Sequence, residues 1–193
     1  MILEGIVTTE DAQGRVNIAP MGPEFEPGRD HFLLKPFSTA HTYANLLQHP
    51  EGVFHVTDDV LLFARAAIGE VEPTPARVPA ARVRGQVLVD ACRAYEFRIV
   101  EIDDTQDRVR MRAQIVHTWS QRDFFGFNRA KHAVIEAAIL ATRVHLIAPS
   151  EIAVEYRRLE PLVQKTGGRD EEQAFAILSQ YVQEQTKLPA HKA

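Results

Sequence analysis

Ala94-Tyr-Glu-Phe-Arg-Ile-Val-Glu-Ile102, the joint Asp103-Asp-Thr-Gln-Asp107 and Arg108-Val-Arg-Met-Arg-Ala-Gln-Ile-Val-His-Thr-Trp119 decide the fold of this chain. Tyr95, Phe97 and Ile99 alternate with Glu96 and Arg98. Val109, Met111, Ala113 and Ile115 alternate with Arg108, Arg110, Arg112 and Gln114. A period of two is that of a strand with one face buried, and the polar joint is a hairpin turn. Two long antiparallel strands are therefore expected, with a β-rich domain around them.

Toward the N-terminus, residues 1–9 and 15–21 read as a first hairpin about the turn 10–14. Glycines and prolines make 22–30 a loop, and 31–34 is a short apolar strand. Residues 39–47 predict a short helix with a hydroxyl cap, ending before Pro50, and 52–56 a compact strand. Asp58-Asp59 are good openings for a helix carrying Val60, Leu61, Phe63 and Ala64. With three prolines, 70–80 reads as an irregular connection.

After Trp119 the pattern turns helical. Residues 129–146 keep Ala133, Ala137 and Ala141 in one stripe, which lets another helix come close. Pro149-Ser150 opens a helix with Ile152, Tyr156, Leu159 and Val163 on one side, broken or kinked at Pro161 and ended by Gly167-Gly168. Asp170-Glu-Glu-Gln173 has capping-box spacing before a last helix that Pro189 closes. The expected class is α+β, with a β-domain over 1–127 and a three-helix segment over 128–193.

Composition narrows the function. A single cysteine, Cys92, leaves no internal disulfide and no cysteine zinc site. A net charge of −4 gives no general pull toward nucleic acid. No apolar run approaches the ~20 residues of a membrane span. The opening Met1-Ile-Leu-Glu-Gly-Ile-Val has no basic region of a secretory signal, so a soluble, cytoplasmic protein is expected.

Three constellations could carry chemistry. In Ser38-Thr39-Ala-His41-Thr42-Tyr-Ala-Asn45, hydroxyls and an imidazole sit where a helix begins, a place suited to phosphate; plain N-capping by Thr39 or Thr42 competes with that reading. In Asn17-Ile-Ala-Pro20-Met21-Gly22, a strand ending in Pro and Gly exposes backbone that could bond the edge of a flat heterocycle, or simply runs into a loop. In Phe124-Phe-Gly-Phe-Asn128-Arg129-Ala-Lys131-His132, bases at a helix start make sense beside an anion, or as solvated charge. His132 and Glu136 could share an ion, but no third ligand has recognisable spacing, so no metal is expected. Nucleophile-elbow, P-loop and dinucleotide fingerprints are missing, and no catalytic residue is assigned.

Taken in order, Leu3-Glu-Gly-Ile-Val-Thr-Thr9, Asn17-Ile-Ala-Pro-Met-Gly22, Thr42-Tyr-Ala-Asn-Leu46, Val56-Thr-Asp-Asp59, Asn128-Arg-Ala-Lys-His-Ala-Val-Ile-Glu-Ala137 and Ala141-Thr-Arg143 resemble the DUF447 family, a relative of the flavin-reductase-like FMN-binding split β-barrels. The resemblance covers nearly the whole chain. It implies a homodimer with FMN at the interface. Thr39, His41, Thr42 and Asn45 would serve the phosphate and ribityl chain, and Asn17, Ala19, Pro20, Met21 and Gly22 the ring. His55 and Thr57 stand where relatives often carry an asparagine, from which His55 departs. Arg129 and Lys131 would add charge from the same or the other subunit. The resemblance further implies reduction by NADH or NADPH and a small-molecule acceptor. A flavin carrier or sensor without turnover, and a dimeric scaffold without cofactor, stay open beside it.

Overall fold

The computed structural model describes residues 1–28, 30–105 and 108–187, so Gln106 and Asp107 of the expected turn and the expected helix stop at Pro189 lie outside the described residues. The chain forms two compact units, Met1–Asp58 with Pro73–Phe124, and Asp59–Glu72 with Phe125–Ala193.

The first unit contains β1 (Gly5–Glu10), β2 (Val16–Met21), β3 (Glu24–Phe25), β4 (His31–Leu34), α1 (His41–Gln48), β5 (Glu51–Val56), β6 (Arg77–Pro79), β7 (Gln86–Leu88), β8 (Arg93–Asp103) and β9 (Arg110–Ser120). Seven strands form one sheet in the order β2-β1-β5-β8-β9-β4-β3, every pair antiparallel. The expected long hairpin is present, running from Arg93↔Ser120 to Asp103↔Arg110 with irregularities at Glu96/Phe97 and Ile99/Glu101.

The sheet curls until its last strand meets the chain that leads into β1. Ile2 bridges Glu24, the Phe25 N–H donates to the Met1 carbonyl at 3.0 Å, and the Leu3 N–H to the Pro23 carbonyl at 3.1 Å. Gly22 makes that approach possible, because a Cβ there would lie 2.9 Å from both Ile2 Cγ2 and Glu4 Oε1. The result is a half-barrel, the architecture expected of the split-barrel class.

Alternation sorts the two faces. Inward go Val7, Phe32, Leu34, Phe54, Phe97, Met111 and Ala113, with Leu46 of α1 in the same core. Phe32 meets Phe97 edge-on at 5.3 Å, and Phe25 reaches Phe54 at 5.9 Å although three strands separate β3 from β5 in the sheet. That contact requires curvature.

The outer face of β1, β5 and β8 is covered by the β6–β7 hairpin, where the sequence pattern predicts an irregular connection. Thr8 Oγ1 donates to the Gln86 carbonyl at 2.6 Å, and Gln86 Nε2 to Glu10 at 3.0 Å. Glu96 is fully buried there and accepts from the Ala81 N–H (2.7 Å), the Arg82 N–H (2.6 Å) and Trp119 Nε1 (2.7 Å). Three donors replace the water that the carboxylate gave up.

The second unit packs four helices: α2 (Val60–Ile68), α3 (Arg129–Ala141), α4 (Pro149–Thr166) and α5 (Arg169–Lys187). Asp59 caps α2 by accepting from the Leu62 N–H, and Gly69, at φ 78°, ends it. The alanine stripe of α3 is buried, and Tyr156 of α4 donates to the Ala137 carbonyl at 2.8 Å, which only a small-residue face allows. Three expectations need correction. α3 stops at Ala141 rather than continuing to 146, and α4 continues through Pro161 without the break that the sequence offered beside a kink. The reciprocal half of the capping box falls two residues earlier than the spacing suggests, with Glu171 accepting from the Gly168 N–H at 2.8 Å.

Candidate functional site

α1 lies against β1 and β2, and most of the candidate residues meet there. Asn17, Ala19 and Met21 share the inner face of β2, since each is directly opposite a residue of the Gly5, Val7, Thr9 series whose Val7 points into the core. Asn17 Nδ2 donates to Thr42 Oγ1 at 3.1 Å, and Asn45 Nδ2 to Thr9 Oγ1 at 3.0 Å. Thr42, Asn45 and Thr9 are 2%, 7% and 1% exposed, so these hydrogen bonds lie inside the fold.

The helix begins two residues later than its sequence suggests and carries no hydroxyl cap. Ala40 occupies the N-cap with no side-chain hydrogen bond, while Thr39 and His41 are exposed. The expected capping by Thr39 or Thr42 is therefore corrected. Thr42 is turned toward Asn17, and the first-turn N–H groups of α1 are left to the positive end of the helix dipole. There is no acid in that first turn to compete for them. Such an end binds an anionic oxygen well.

β2 is the first strand of the sheet order, so among the described residues one of its edges has no strand beside it, and all six of its residues are half-buried. Pro20 brings no donor to that edge, and Met21 packs on the core. Ala19 and Gly22 are also half-buried.

Within the first unit, His55 falls elsewhere. His55 sits on the outer face of β5, opposite Ile6 and Ala94, and not on the face of Asn17 and Thr42. Its Nδ1 bonds the Ile6 carbonyl at 3.1 Å and its Nε2 accepts from the Leu88 N–H at 3.1 Å, which requires the neutral Nδ1–H tautomer. Burial pushes its pKa down to about 4. Thr57 follows directly after β5 and is half-buried. Arg129 and Lys131 belong to the helical unit, where the anion beside Lys131 is Glu171 at 2.8 Å and Asn128 caps α3. The sequence reading missed Thr9, because a threonine late in a strand carries no signal beyond β-propensity.

A groove of about 970 Å³ lies on the outer face near Phe25, Leu33, Arg110 and Arg112, and none of the candidate residues lines it. Arg112 there is already held by both carboxylate oxygens of Glu26, at 2.8 and 3.0 Å. Among the described residues no group of three or more His, Cys, Asp and Glu is placed to hold a metal ion, and no helix is long and apolar enough to cross a membrane.

This fold is that of the FMN-binding split-barrel proteins. Over 62% of the chain it superposes on an FMN-binding protein of Thermus thermophilus solved with 1-cyclohex-2-enone (16% identity, 70% of that chain, TM-score 0.52). It superposes over the same share on an NADH:FAD oxidoreductase of Streptomyces globisporus (12% identity, 75% of that chain, TM-score 0.53). Residues 3–122 match the family model "Protein of unknown function (DUF447) N-terminal domain" and residues 128–180 the model "Protein of unknown function (DUF447)"; the chain belongs to the DUF447 family. A DUF447 relative of solved structure, the FMN-bound protein MM1853 of Methanosarcina mazei, is similar over 93% of this chain and 94% of its own, at 23% identity and TM-score 0.81. No curated protein sequence matches significantly.

Proposed function

We propose that this chain is an FMN-binding flavoprotein, a cytoplasmic homodimer, that works as an NADH- or NADPH-linked oxidoreductase on a small acceptor. The observation that carries the reading is the start of α1. An uncapped first turn, with Thr39 and His41 exposed beside it, stands over the buried Thr42, Asn45 and Thr9 and the half-buried Asn17. A phosphate monoester needs such an end: several N–H donors, a positive dipole and no competing carboxylate. The likeness to an FMN-bound member of the same family supports FMN as that ligand.

The groups present fit the cofactor. The first-turn N–H groups and the Thr39 and His41 side chains would hold the phosphate, and Thr42 and Asn45 would fix the turn that presents them. Ala19, Pro20, Met21 and Gly22, on the strand whose outer edge is unpaired, would line the ring. FMN supplies the redox chemistry, and the chain supplies binding, orientation and water exclusion. Hydride delivery to a flavin needs no protein acid or base. The likeness to an NADH:FAD oxidoreductase supports a pyridine nucleotide as donor.

Anaerobic stopped-flow of the flavin-loaded protein tests the reading. Millimolar NADH or NADPH is expected to bleach the flavin band within minutes. Bleaching by dithionite but by neither nucleotide would leave a carrier or sensor, and a protein that retains no flavin would leave a scaffold.

A further inference from the structure

The Asn17 side chain, which the family resemblance assigns to the flavin ring, is committed instead to Thr42. We propose that Asn17 is a positioning residue for the phosphate end of the ligand: with Thr9 and Asn45 it locks the first turn of α1 to the β1–β2 ladder and orients the Thr42 hydroxyl. This rests on the phosphate reading above.

Register supplies the first argument. Thr9 and Asn17 are directly opposite partners in the ladder, and such partners stand ~4.5–5.5 Å apart at Cβ. Thr42 and Asn45 are three residues apart on one face of α1, where neighbours stand ~5–6 Å apart. The two spacings match, so two parallel hydrogen bonds close a four-cornered frame, Asn17 to Thr42 and Asn45 to Thr9, at 3.1 and 3.0 Å. A slip of α1 by one residue in either direction would break both together.

Burial supplies the second. Aliphatic side chains at these corners would hold the helix without hydrogen-bonding cost, but apolar contact sets no register. Thr9, Thr42 and Asn45 are nevertheless almost wholly enclosed. Paired polar groups in such a place give direction, since each is costly when its partner is lost. An eight-residue helix is too short to be stable by itself, so the position of its first turn depends on contacts of this kind.

Hydrogen-bond polarity supplies the third. Asn17 Nδ2 has only hydrogens to give, so Thr42 Oγ1 must accept. The Thr42 hydroxyl proton is then directed away from Asn17 and remains available as a donor. Replacing Asn17 by aspartate reverses the polarity, because a carboxylate can only accept: it would draw that proton inward and add a negative charge.

Dissociation constants for FMN and for riboflavin, which lacks the phosphate, provide the test. Asn17→Ala is expected to weaken FMN by about two- to tenfold, the value of one ordinary hydrogen bond, and riboflavin far less. Asn17→Asp should weaken FMN further. Thr42→Val, which keeps the shape and loses the acceptor, should reproduce Asn17→Ala, Thr42→Ser should keep the wild-type FMN:riboflavin ratio, and the Asn17→Ala/Thr42→Val double variant should lose little more than either alone. Circular dichroism monitors the fold; if Asn17→Ala does not fold, the Thr42→Val and Thr42→Ser pair decides. Equal weakening of both ligands by Asn17→Ala, or additive losses in the double variant, overturns the positioning role while leaving FMN binding intact. A wild-type protein that binds FMN no better than riboflavin overturns the phosphate reading and this inference with it.

Discussion

The two faces of the central strands are held by different physics. Inside, Phe32, Phe54 and Phe97 with their aliphatic neighbours exclude water by contact alone. Outside, the same strands present Thr8, His55 and Glu96, and every one of these polar side chains bonds the β6–β7 hairpin or the loop at its tip. Non-directional burial tolerates exchange among side chains of similar volume. The outer face has no such tolerance, since losing one partner strands another in a dry place. The inner face gives the barrel its stability, and the outer face fixes where the proline-rich hairpin lies.

Breaking the inner face should have the largest effect. Phe97 has no exposure and rings or aliphatic groups on all sides, so Phe97→Ala is expected to cost about 3–5 kcal/mol, measured by urea unfolding. A loss below about 1 kcal/mol would mean that the inner face collapses to fill the hole and is not the rigid partner in this comparison.

The outer face should instead reveal itself through pH. His55 is depressed to about 4 in the fold from an ordinary 6.5, because burial disfavours its charged form. Above pH 6.5 both folded and unfolded chains hold it neutral, and its two hydrogen bonds count in full. As pH falls from 6.5 toward 4 the unfolded chain takes up a proton that the fold refuses, so stability falls by about 3 kcal/mol across that window and then levels off. His55→Gln, which cannot titrate, should lack that component. Wild-type and variant unfolding free energies that run parallel from pH 7 to pH 4 would show that His55 is not the buried neutral group described.

The same contrast explains what the sequence discloses. Inner-face residues obey a period of two, so Tyr95, Phe97, Met111 and Ala113 identify the long hairpin without any structure. Glu96 occupies the polar half of that alternation and reads as solvent-facing, yet it is buried, because the segment that covers it looks like an irregular connection. Three prolines conceal β6, whose pairing with β7 depends on partners supplied by the sheet beneath. At the site, the start of α1 was legible to within two residues from Thr39-Ala-His41-Thr42, and the strand end from Pro20 and Gly22. The facing of side chains was not. Nothing in the residue types says that Asn17 and Thr42 find each other, that Thr9 completes the frame, or that His55 lies on the opposite side of the sheet, because strand register and helix rotation fix those choices. The helical unit gives the same lesson: α2 precedes the long hairpin in sequence but folds with α3 and α5.

The smallest effect should come from the rim of the outer face, and it decides whether buried hydrogen bonds or surface charge hold the hairpin. Arg98 pairs with Glu51 at 2.7 Å and donates to the Arg82 carbonyl at 2.9 Å, linking the sheet to the same loop that Glu96 binds. Its side chain is about half exposed, so water and salt weaken the pair, and ordering a long side chain offsets part of the gain. Arg98→Ala is therefore expected to cost about 0.2–1 kcal/mol, with most of that gone at high salt. Thr8, Gln86 and Glu96 would go on holding the hairpin in the variant, so amide exchange at Ala81 and Arg82 should stay slow. A loss above about 2 kcal/mol, or fast exchange at those two amides, would move the anchor of the outer face from its buried carboxylate to its exposed ion pairs.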